Sequence, residues 1–518
     1  MPNMIEDDTN TVPLFSAREG IEVGRVPATA CSDVKGIVQE ARAAHKQWAH
    51  RSMRERAVAL DSFVEVLYTQ HNEVAESIAR FNGKTATEAL MSEVYPTLAT
   101  FRFFLKKAPK ALRPQSVALD AVPGAYSRVE FEPLGVVGVI SPWNFPFKLM
   151  LQDVPAALMA GNAVVIKVSE HAAAIGPIVE ALLEASSLPK GLVTLLQGGG
   201  DVGQALIASG IDKISFTGST QTGKKVYHAA AEAMIPVTLE MGGKDAAILL
   251  ADAPIDDTAR GVLWGAMTNS GQVCASIETV YVPEVIKEPF VKKLSMLLET
   301  LPAASLGSMN TRFQKEDVSS DVAEAKANGA MVVAIRPAGV EEGPLAMDRV
   351  VLCGVGADAA LRREETFGPA VVVVGYNDLD RVIDEVNGGE FGLTTSIWTS
   401  DRPQGRRLAS RLQTGAVTIN EHLITPGFPE APWSGHRGSG IGFSMSLRSL
   451  AGFSRMRYVY DDRGLIRFRF WRYPYDQAKR AWFEQFIDAK YAHGLRRVVA
   501  MARALPPIFF RRNRSWER

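Results

Sequence analysis

Cys274 lies in TNSGQVCASIE (268–278), where Ser270, Gly271, Ala275 and Ser276 leave its sulfur little side-chain cover. A thiolate so placed can attack an electrophilic carbon. The same small neighbours equally suit an inert buried thiol, since free cysteine is among the most buried residue types. Four other segments carry groups that could work with it. Glu240, in VTLEMGGKD, ends an apolar strand before Gly242 and Gly243, where a carboxylate can have a raised pKa and serve as a general base. Asn144, in SPWNFPF, is bounded by Pro142 and Pro146; its amide could donate to a developing oxyanion, or it is simply a turn residue. Lys167 and Glu170, in NAVVIKVSEH, follow a strand end and could bond ribose hydroxyls or form an ordinary polar loop. In ISFTGSTQTGKKV, Gly218, Ser219 and Gly223 form a glycine turn at a helix start, suited to a pyrophosphate but equally to a plain N-cap.

The elements that would position these groups alternate. Residues 33–110 read as mostly helical. AYSRVEFEPLGVVGVIS changes to period-two alternation around a proline and predicts a hairpin. Beyond it, GVVGVIS, NAVVIKV, LVTLLQG, DKISFTG and PVTLEMG are short apolar strands, with helices predicted at about 147–160, 172–186 and 221–233. A second round follows from DAAILLA through ETVYVPE, AMVVAIRP, PAVVVVGY, TTSIWTS and GAVTIN, with helices at 255–270 and 284–300. Such alternation predicts parallel sheets covered on both faces.

With 518 residues, 47% apolar and 22% charged, the chain has the composition of a globular protein of two or three domains. Cys31, Cys274 and Cys353 are too few for a disulfide framework, and no CxxC suggests a metal, so none is expected. The N-terminus lacks a basic start followed by an apolar run, and no stretch reaches the ~18 apolar residues of a spanning helix, which predicts a cytoplasmic protein. Charge is unevenly spread: residues 463–518 carry 14 Lys and Arg against 4 Asp and Glu, a net +10 that balances −10 elsewhere.

Taken together, PWNFP, GNAVVIKVSE, FTGSTQTG, LEMGGK, GQVC, EETFGP, FGLTTSIWT and PWSGHRGSGIG match the order and spacing of one family. Over roughly residues 10–460 the chain resembles the NAD(P)-dependent aldehyde dehydrogenases. That resemblance implies an α/β fold: a Rossmann-type cofactor domain (1–120 and 138–242), an α/β catalytic domain (243–442), a β-hairpin oligomerisation element (121–137 and 443–462), and a basic aromatic extension (463–518). It also implies roles. Cys274 would be the nucleophile, Asn144 an oxyanion donor and Glu240 the base that activates water. Trp143, Lys167, Glu170, Gly218, Ser219, Gly223, Met241, Gly242, Glu365 and Phe367 would hold the cofactor. Cys31 and Cys353 match no nucleophile position and are expected to be structural. Glu170 near a ribose 2′-hydroxyl favours NAD, with NADP possible; Glu240 favours hydrolysis over transfer to coenzyme A. The expected substrate is a small-molecule aldehyde; the sparsely charged loop EHLITPGFPEAPW (421–433) speaks against an acidic semialdehyde, and a membrane-attached tail would make lipophilic aldehydes the natural class, with a succinate-semialdehyde type as the alternative and a non-catalytic protein of this fold as a more distant one. A homodimer or homotetramer is implied. The chain departs from the family at Val168 for Pro, Thr279 for Arg, Ser434 for Gly and Phe443 for a basic residue.

The tail lies beyond the resemblance to the catalytic fold. It alternates Arg with aromatics in IRFRFWRYPYDQ, then reads as helix, with Trp482, Phe483, Phe486 and Ile487 on one face and Leu495, Val498, Val499 and Ala502 on another. WRYPY is loosely similar to the region before the membrane anchor of fatty aldehyde dehydrogenases. Two partners fit such a segment, a neighbouring subunit or an anionic membrane surface to which the protein would be peripheral; nucleic acid is not expected.

Overall fold

The computed structural model describes residues 10–119, 125–462 and 471–510. Among these residues, close packing groups 10–111 and 133–455 in one compact unit and 112–119, 125–132, 456–462 and 471–510 in a second.

The first unit is built on two sheets. One has six strands in the spatial order Gly440–Ile441, Val237–Met241, Lys213–Gly218, Val136–Ile140, Ala163–Val168, Val193–Gln197. All pairs are parallel except the first, where Gly440 faces Glu240 and Ile441 faces Leu239. The chain moves one way from Val136–Ile140 through the next two strands, then crosses back to Lys213–Gly218 on the other side. That reversal opens a crevice at the carboxyl ends of the central strands. The other sheet has seven strands, ordered Met331–Arg336, Arg349–Cys353, Ala370–Tyr376, Ile277–Pro283, Asp245–Leu249, Thr394–Trp398, Ala416–Ile419, with only the first pair antiparallel. Ala163–Val168, Asp245–Leu249 and Ile277–Pro283 are buried along their whole length, because helices cover both faces.

Before these sheets run Cys31–Ala49, Met53–Thr69, His71–Asn82 and Tyr95–Ala111. Ser52 and Glu55 form a capping box, as do Thr85 and Glu88. The helix expected at 147–160 is two, Pro146–Leu151 and Val154–Ala160. Pro155 lacks an N–H and is best accommodated in a first turn, and a new helix starts at Val154 to place it there. The helix expected at 255–270 ends at Met267, because Asn269, Ser270 and Gly271 turn left-handed at φ of +52°, +53° and +71°.

The expected hairpin around Pro133 is corrected. Tyr126–Pro133 pairs antiparallel with Gln115–Ser116 and lies beside Ser454–Asp461, whereas Val136–Ile140 joins the parallel six-stranded sheet. Alternation identified the half-exposed strand; one neighbour, Gln115–Ser116, is near in sequence, and the other, Ser454–Asp461, lies over three hundred residues away. In the second unit Arg457 pairs with Glu130 at 2.7 Å and Glu132 at 2.5 Å, and Ser127 Oγ donates to Tyr458 Oη at 2.6 Å.

The tail helices Gln477–Tyr491 and Gly494–Phe510 pack on each other, the chain turning at Gly494 with φ +60°. Trp482 Nε1 donates to the Ala504 carbonyl at 3.0 Å, and Phe486 stacks on Trp482. Trp482 is thus an internal contact of the pair, whereas Phe483, Ile487, Tyr491, Leu495 and Val498 are exposed. The Arg–aromatic run at 463–470 and the closing stretch 511–518 lie outside the described residues, as do 1–9 and 120–124. Among the described residues no helix is long and apolar enough to cross a membrane.

Candidate active site

One cavity of about 1320 Å³ opens in the crevice of the six-stranded sheet and reaches the loops at Cys274 and 364–367 that lead into the seven-stranded one. Cys274, Glu240, Asn144, Trp143, Lys167, Glu170, Gly218, Ser219, Met241, Gly242, Glu365 and Phe367 all line it. Gly223 does not. It lies buried in the helix Thr220–Glu232, where a Cβ would sit 2.2 Å from Met241 Sδ, so its small size serves helix–sheet packing.

Cys274 is partly buried in the loop between Gly271 and the strand Ile277–Pro283. The three left-handed residues before it aim the loop. Asn269 Nδ2 donates to the carbonyls of Asn144 (3.0 Å) and Gln272 (3.2 Å), and Asn269 N donates to Glu88 Oε1 at 2.9 Å. Gly271 has no room for a side chain, since a Cβ would lie 2.2 Å from Gly368 O. Behind the thiol, His422 Nε2 is 2.7 Å from the Ala275 carbonyl. A carbonyl only accepts, so Nε2 carries the hydrogen; burial lowers this imidazole to about 4 and keeps it neutral.

Asn144 is held from beneath. Asn82 Nδ2 donates to Trp143 O at 2.8 Å, and Lys84 Nζ donates to Asn144 O at 3.0 Å. Lys84 also pairs with Glu93 at 2.5 Å, both side chains fully buried. Glu93 lies in a π turn, Leu90–Val94, and its Oε2 accepts the free N–H groups of Phe147 (2.7 Å) and Lys148 (3.1 Å) at the start of Pro146–Leu151. It thereby caps that helix from outside. The Asn144 amide donates one N–H to Gln272 O at 3.1 Å; an amide carries a second.

Glu240 ends its strand facing the cavity, with Ser444 Oγ donating to its Oε1 at 2.8 Å. Gly242 and Gly243 permit two close approaches. A Cβ on Gly242 would fall 2.0 Å from Glu365 Oε2, and one on Gly243 would fall 2.8 Å from Cys274 O. Lys244 bonds Glu278 Oε2 (2.5 Å) and Thr366 Oγ1 (2.9 Å), while Glu278 accepts the N–H groups of Thr366 and Phe367. This fixes the EETFGP turn, and the Phe367 ring meets Trp143 edge-on at 5.4 Å. At the far end, Lys167 Nζ and Glu170 Oε2 are 2.9 Å apart; burial opposes ionisation of Glu170, and the ammonium more than offsets it. Ser219 Oγ caps Thr220–Glu232 by accepting from Thr222 N at 3.3 Å.

The electrostatics follow from this enclosure. Burial raises Glu240, Glu365 and Asp245 well above the usual carboxylate range. Burial, with the fields of Glu365 and Asp245, pushes the Cys274 thiol up to about 12. Lys148 opposes that rise; burial lowers it to about 8, and Cys274 is the foremost charge acting to raise it. Its Nζ donates to Pro426 O at 2.8 Å, within the 421–433 loop. Lys148, Glu93, His422 and Ser444 escape a reading of the sequence. Glu93 and Lys84 stand nine residues apart in a helical region and look like surface charges. Lys148 follows Asn144 by four, the one local hint that its charge acts near Cys274. Cys353 is buried in a strand of the seven-stranded sheet and Cys31 is exposed, so neither approaches the cavity.

Residues 4–459 match the aldehyde dehydrogenase family. A 4,4'-diapolycopene aldehyde oxidase from Methylomonas sp is 34% identical, the match covering 93% of this chain and 91% of that one. Since 93% of 518 residues exceeds 459, that match reaches into the tail. A protein provisionally named succinate-semialdehyde dehydrogenase [NADP(+)], from Mycolicibacterium smegmatis, is 32% identical over 84% of this chain and 86% of its own. Among solved structures, an aldehyde dehydrogenase from Bacillus cereus in complex with NAD+ is 29% identical (TM-score 0.82, 88% of this chain, 93% of that one). Another, from Mycobacterium tuberculosis with NAD+, is 28% identical (TM-score 0.82, 88% and 95%).

Proposed function

The chain belongs to the aldehyde dehydrogenase family, and from that premise we propose that it oxidises a lipophilic aldehyde to its carboxylic acid through a thioester on Cys274. The observation that carries this reading is the convergence of Cys274, Asn144 and Glu240 on one cavity whose far end carries Lys167, Glu170 and the capped helix at Ser219.

The Cys274 thiol gives its proton up to solvent, the thiolate sulfur forms a bond to the carbonyl carbon, and the electron pair of the C=O π bond moves to the oxygen, which becomes an oxyanion. The second N–H of Asn144 donates to that oxygen; bracing by Lys84 and Asn269 lets it do so without reorganising. A nicotinamide dinucleotide, when bound, supplies the acceptor for the hydride that leaves the adduct carbon, so that the adduct becomes a thioester. Glu240 then takes a proton from water, the water oxygen bonds to the acyl carbon, and the C–S bond breaks with its electron pair returning to Cys274.

The cavity suits the dinucleotide. The N-terminus at Ser219 offers N–H groups to a pyrophosphate, Lys167 and Glu170 suit ribose hydroxyls, and Gly218, Met241, Gly242, Trp143, Glu365 and Phe367 would hold the nicotinamide end. The relatives divide over the cofactor: the Bacillus and M. tuberculosis structures contain NAD+, and the semialdehyde-named relative carries NADP(+) in its name. The Glu170 carboxylate disfavours a 2′-phosphate and supports NAD.

A lipophilic substrate is supported by the 421–433 loop, which exposes Ile424 and Phe428, and by the relative named for an aldehyde of 4,4'-diapolycopene, whose similarity includes part of the tail. The second reading is a carboxylate-bearing semialdehyde, favoured by the buried Lys148 beside Cys274 and by the name of the 32%-identical relative. In the strand Ser454–Asp461, Met456, Tyr458 and Tyr460 are exposed, which supports assembly as a homodimer or homotetramer through this element. The exposed apolar residues and the Arg and Lys of the tail helices support peripheral attachment to an anionic membrane on the cytoplasmic side.

The test is NADH formation across aldehydes graded by chain length and charge. The proposal expects kcat/KM to rise with apolar length, and Cys274→Ala to abolish turnover. Highest kcat/KM for succinate semialdehyde, reduced by Lys148→Met, would replace the lipophilic reading with the second.

A further inference from the structure

Ser444 occupies a position that the reaction scheme above leaves without a role. It is 1% exposed, and its hydroxyl reaches across 204 residues of sequence to Glu240 Oε1. The other carboxylate oxygen, Oε2, is buried and has no hydrogen-bond partner. The same segment grips the Glu240 backbone, since Gly440 and Ile441 pair with Glu240 and Leu239. Ser444 also exchanges both backbone hydrogen bonds with Trp433, at 3.0 and 2.9 Å, and Trp433, at the end of the 421–433 loop, belongs with Ala275 and Met445 to the apolar cluster against which Cys274 packs. Met445 and Ser446 follow with φ of +56° and +54°, conformations a non-glycine residue adopts only where its surroundings impose them.

We propose that Ser444 is the positioning residue of the hydrolytic half-reaction: its hydroxyl fixes Oε1 of Glu240 and so presents Oε2 to the attacking water. The inference rests on Glu240 being the base proposed above. In the step it serves, one water proton passes to Oε2, the water oxygen bonds to the acyl carbon, and Cys274 leaves with the C–S electron pair. A donor to a carboxylate favours its charged form. Burial opposes that form at Glu240, and the Ser444 bonds are what work against burial there. Removing the hydroxyl therefore leaves less carboxylate at a given pH and a base free to rotate. Addition of the thiol and loss of hydride do not need it.

The experiment is stopped-flow NADH formation with the full chain, saturating aldehyde and NAD, across pH. Ser444→Ala is expected to keep the first-turnover rate while steady-state turnover at neutral pH falls about 10- to 100-fold, the scale of a hydrogen bond to a charged group. A burst approaching one NADH per site then precedes slow turnover, the acidic limb of the steady-state profile moves to higher pH, and Ser444→Thr restores both. Ser444→Cys, similar in volume but a weaker donor, repeats the test should Ser444→Ala not fold. An unchanged steady state and pH profile, or an equal fall in burst and steady state, would overturn the proposal. Glu240→Gln separates the levels. Deacylation lost there but untouched in Ser444→Ala removes only the role of Ser444; deacylation retained in Glu240→Gln removes the base assignment, and Ser444 with it.

Discussion

At neutral pH a thiol pushed up to about 12 rests protonated, so Cys274 has to be charged by its surroundings when substrate enters. Lys148 is the neighbour whose field favours the thiolate. Alkylation of Cys274 by iodoacetamide is therefore expected to accelerate with pH well above 9, and Lys148→Met to slow it below about pH 8, where the lysine carries its charge. An equal rate in the two proteins would show that the lysine does not act on the sulfur. His422 makes a different pH prediction. Its folded value of about 4 lies below the ordinary 6.5, so the unfolded chain binds the proton more readily. The stability it confers is present above pH 6.5 and is lost as pH falls towards 4, on the order of 3 kcal/mol over that window. Thermal melts of His422→Gln from pH 7 to 4 should show a shallower fall in Tm than the parent chain, and parallel curves would refute it.

The loops that carry these residues are held by elements whose role is bracing. Lys84 and Glu93 form a fully buried pair that also caps Pro146–Leu151 and supports Asn144. Lys84→Met leaves Glu93 buried without its cation, an expected cost of about 3–5 kcal/mol by denaturant unfolding, with a fall in kcat as Asn144 loosens. A loss below about 1 kcal/mol would contradict this account of the brace. Such connections separate what was legible in the sequence from what was not. Ala163–Val168 and Asp245–Leu249 were legible because burial on both faces makes most of a strand an apolar run, as in AVVI and AAIL. That Cys274, Glu240 and Asn144 would share one cavity was legible in the family order of their motifs, although each alone suited an ordinary loop. The helix Arg312–Ala327 escaped notice because only Val318 and Ala325 are buried along it. The hydrogen bond of Ser444 to Glu240 was hidden because it spans 204 residues, and local pattern contains no record of such pairings; the grouping of 121–137 with 443–462 came from the family resemblance alone.

For the molecule as a whole, the catalytic unit and the tail pose separate questions, and each unit answers its own. The tail helices satisfy one another through Trp482 and Ala504, yet expose Phe483, Ile487, Tyr491, Leu495 and Val498 with Arg480, Arg496 and Arg497 nearby in sequence. Full-length protein should float with liposomes containing anionic lipid, less so at high salt, while a chain ending at Tyr460 stays in the dense fraction; equal flotation would exclude the tail as the attachment. The chemistry does not depend on that result. Its central claim is that carbon is carried as an acyl group on Cys274 and released by Glu240. Mass spectrometry of Glu240→Gln, quenched in acid after mixing with aldehyde and NAD, tests it most directly. The account predicts one acyl adduct per chain, located on the peptide containing Cys274; NADH formed over an unmodified Cys274, or an acyl group found elsewhere, would contradict it.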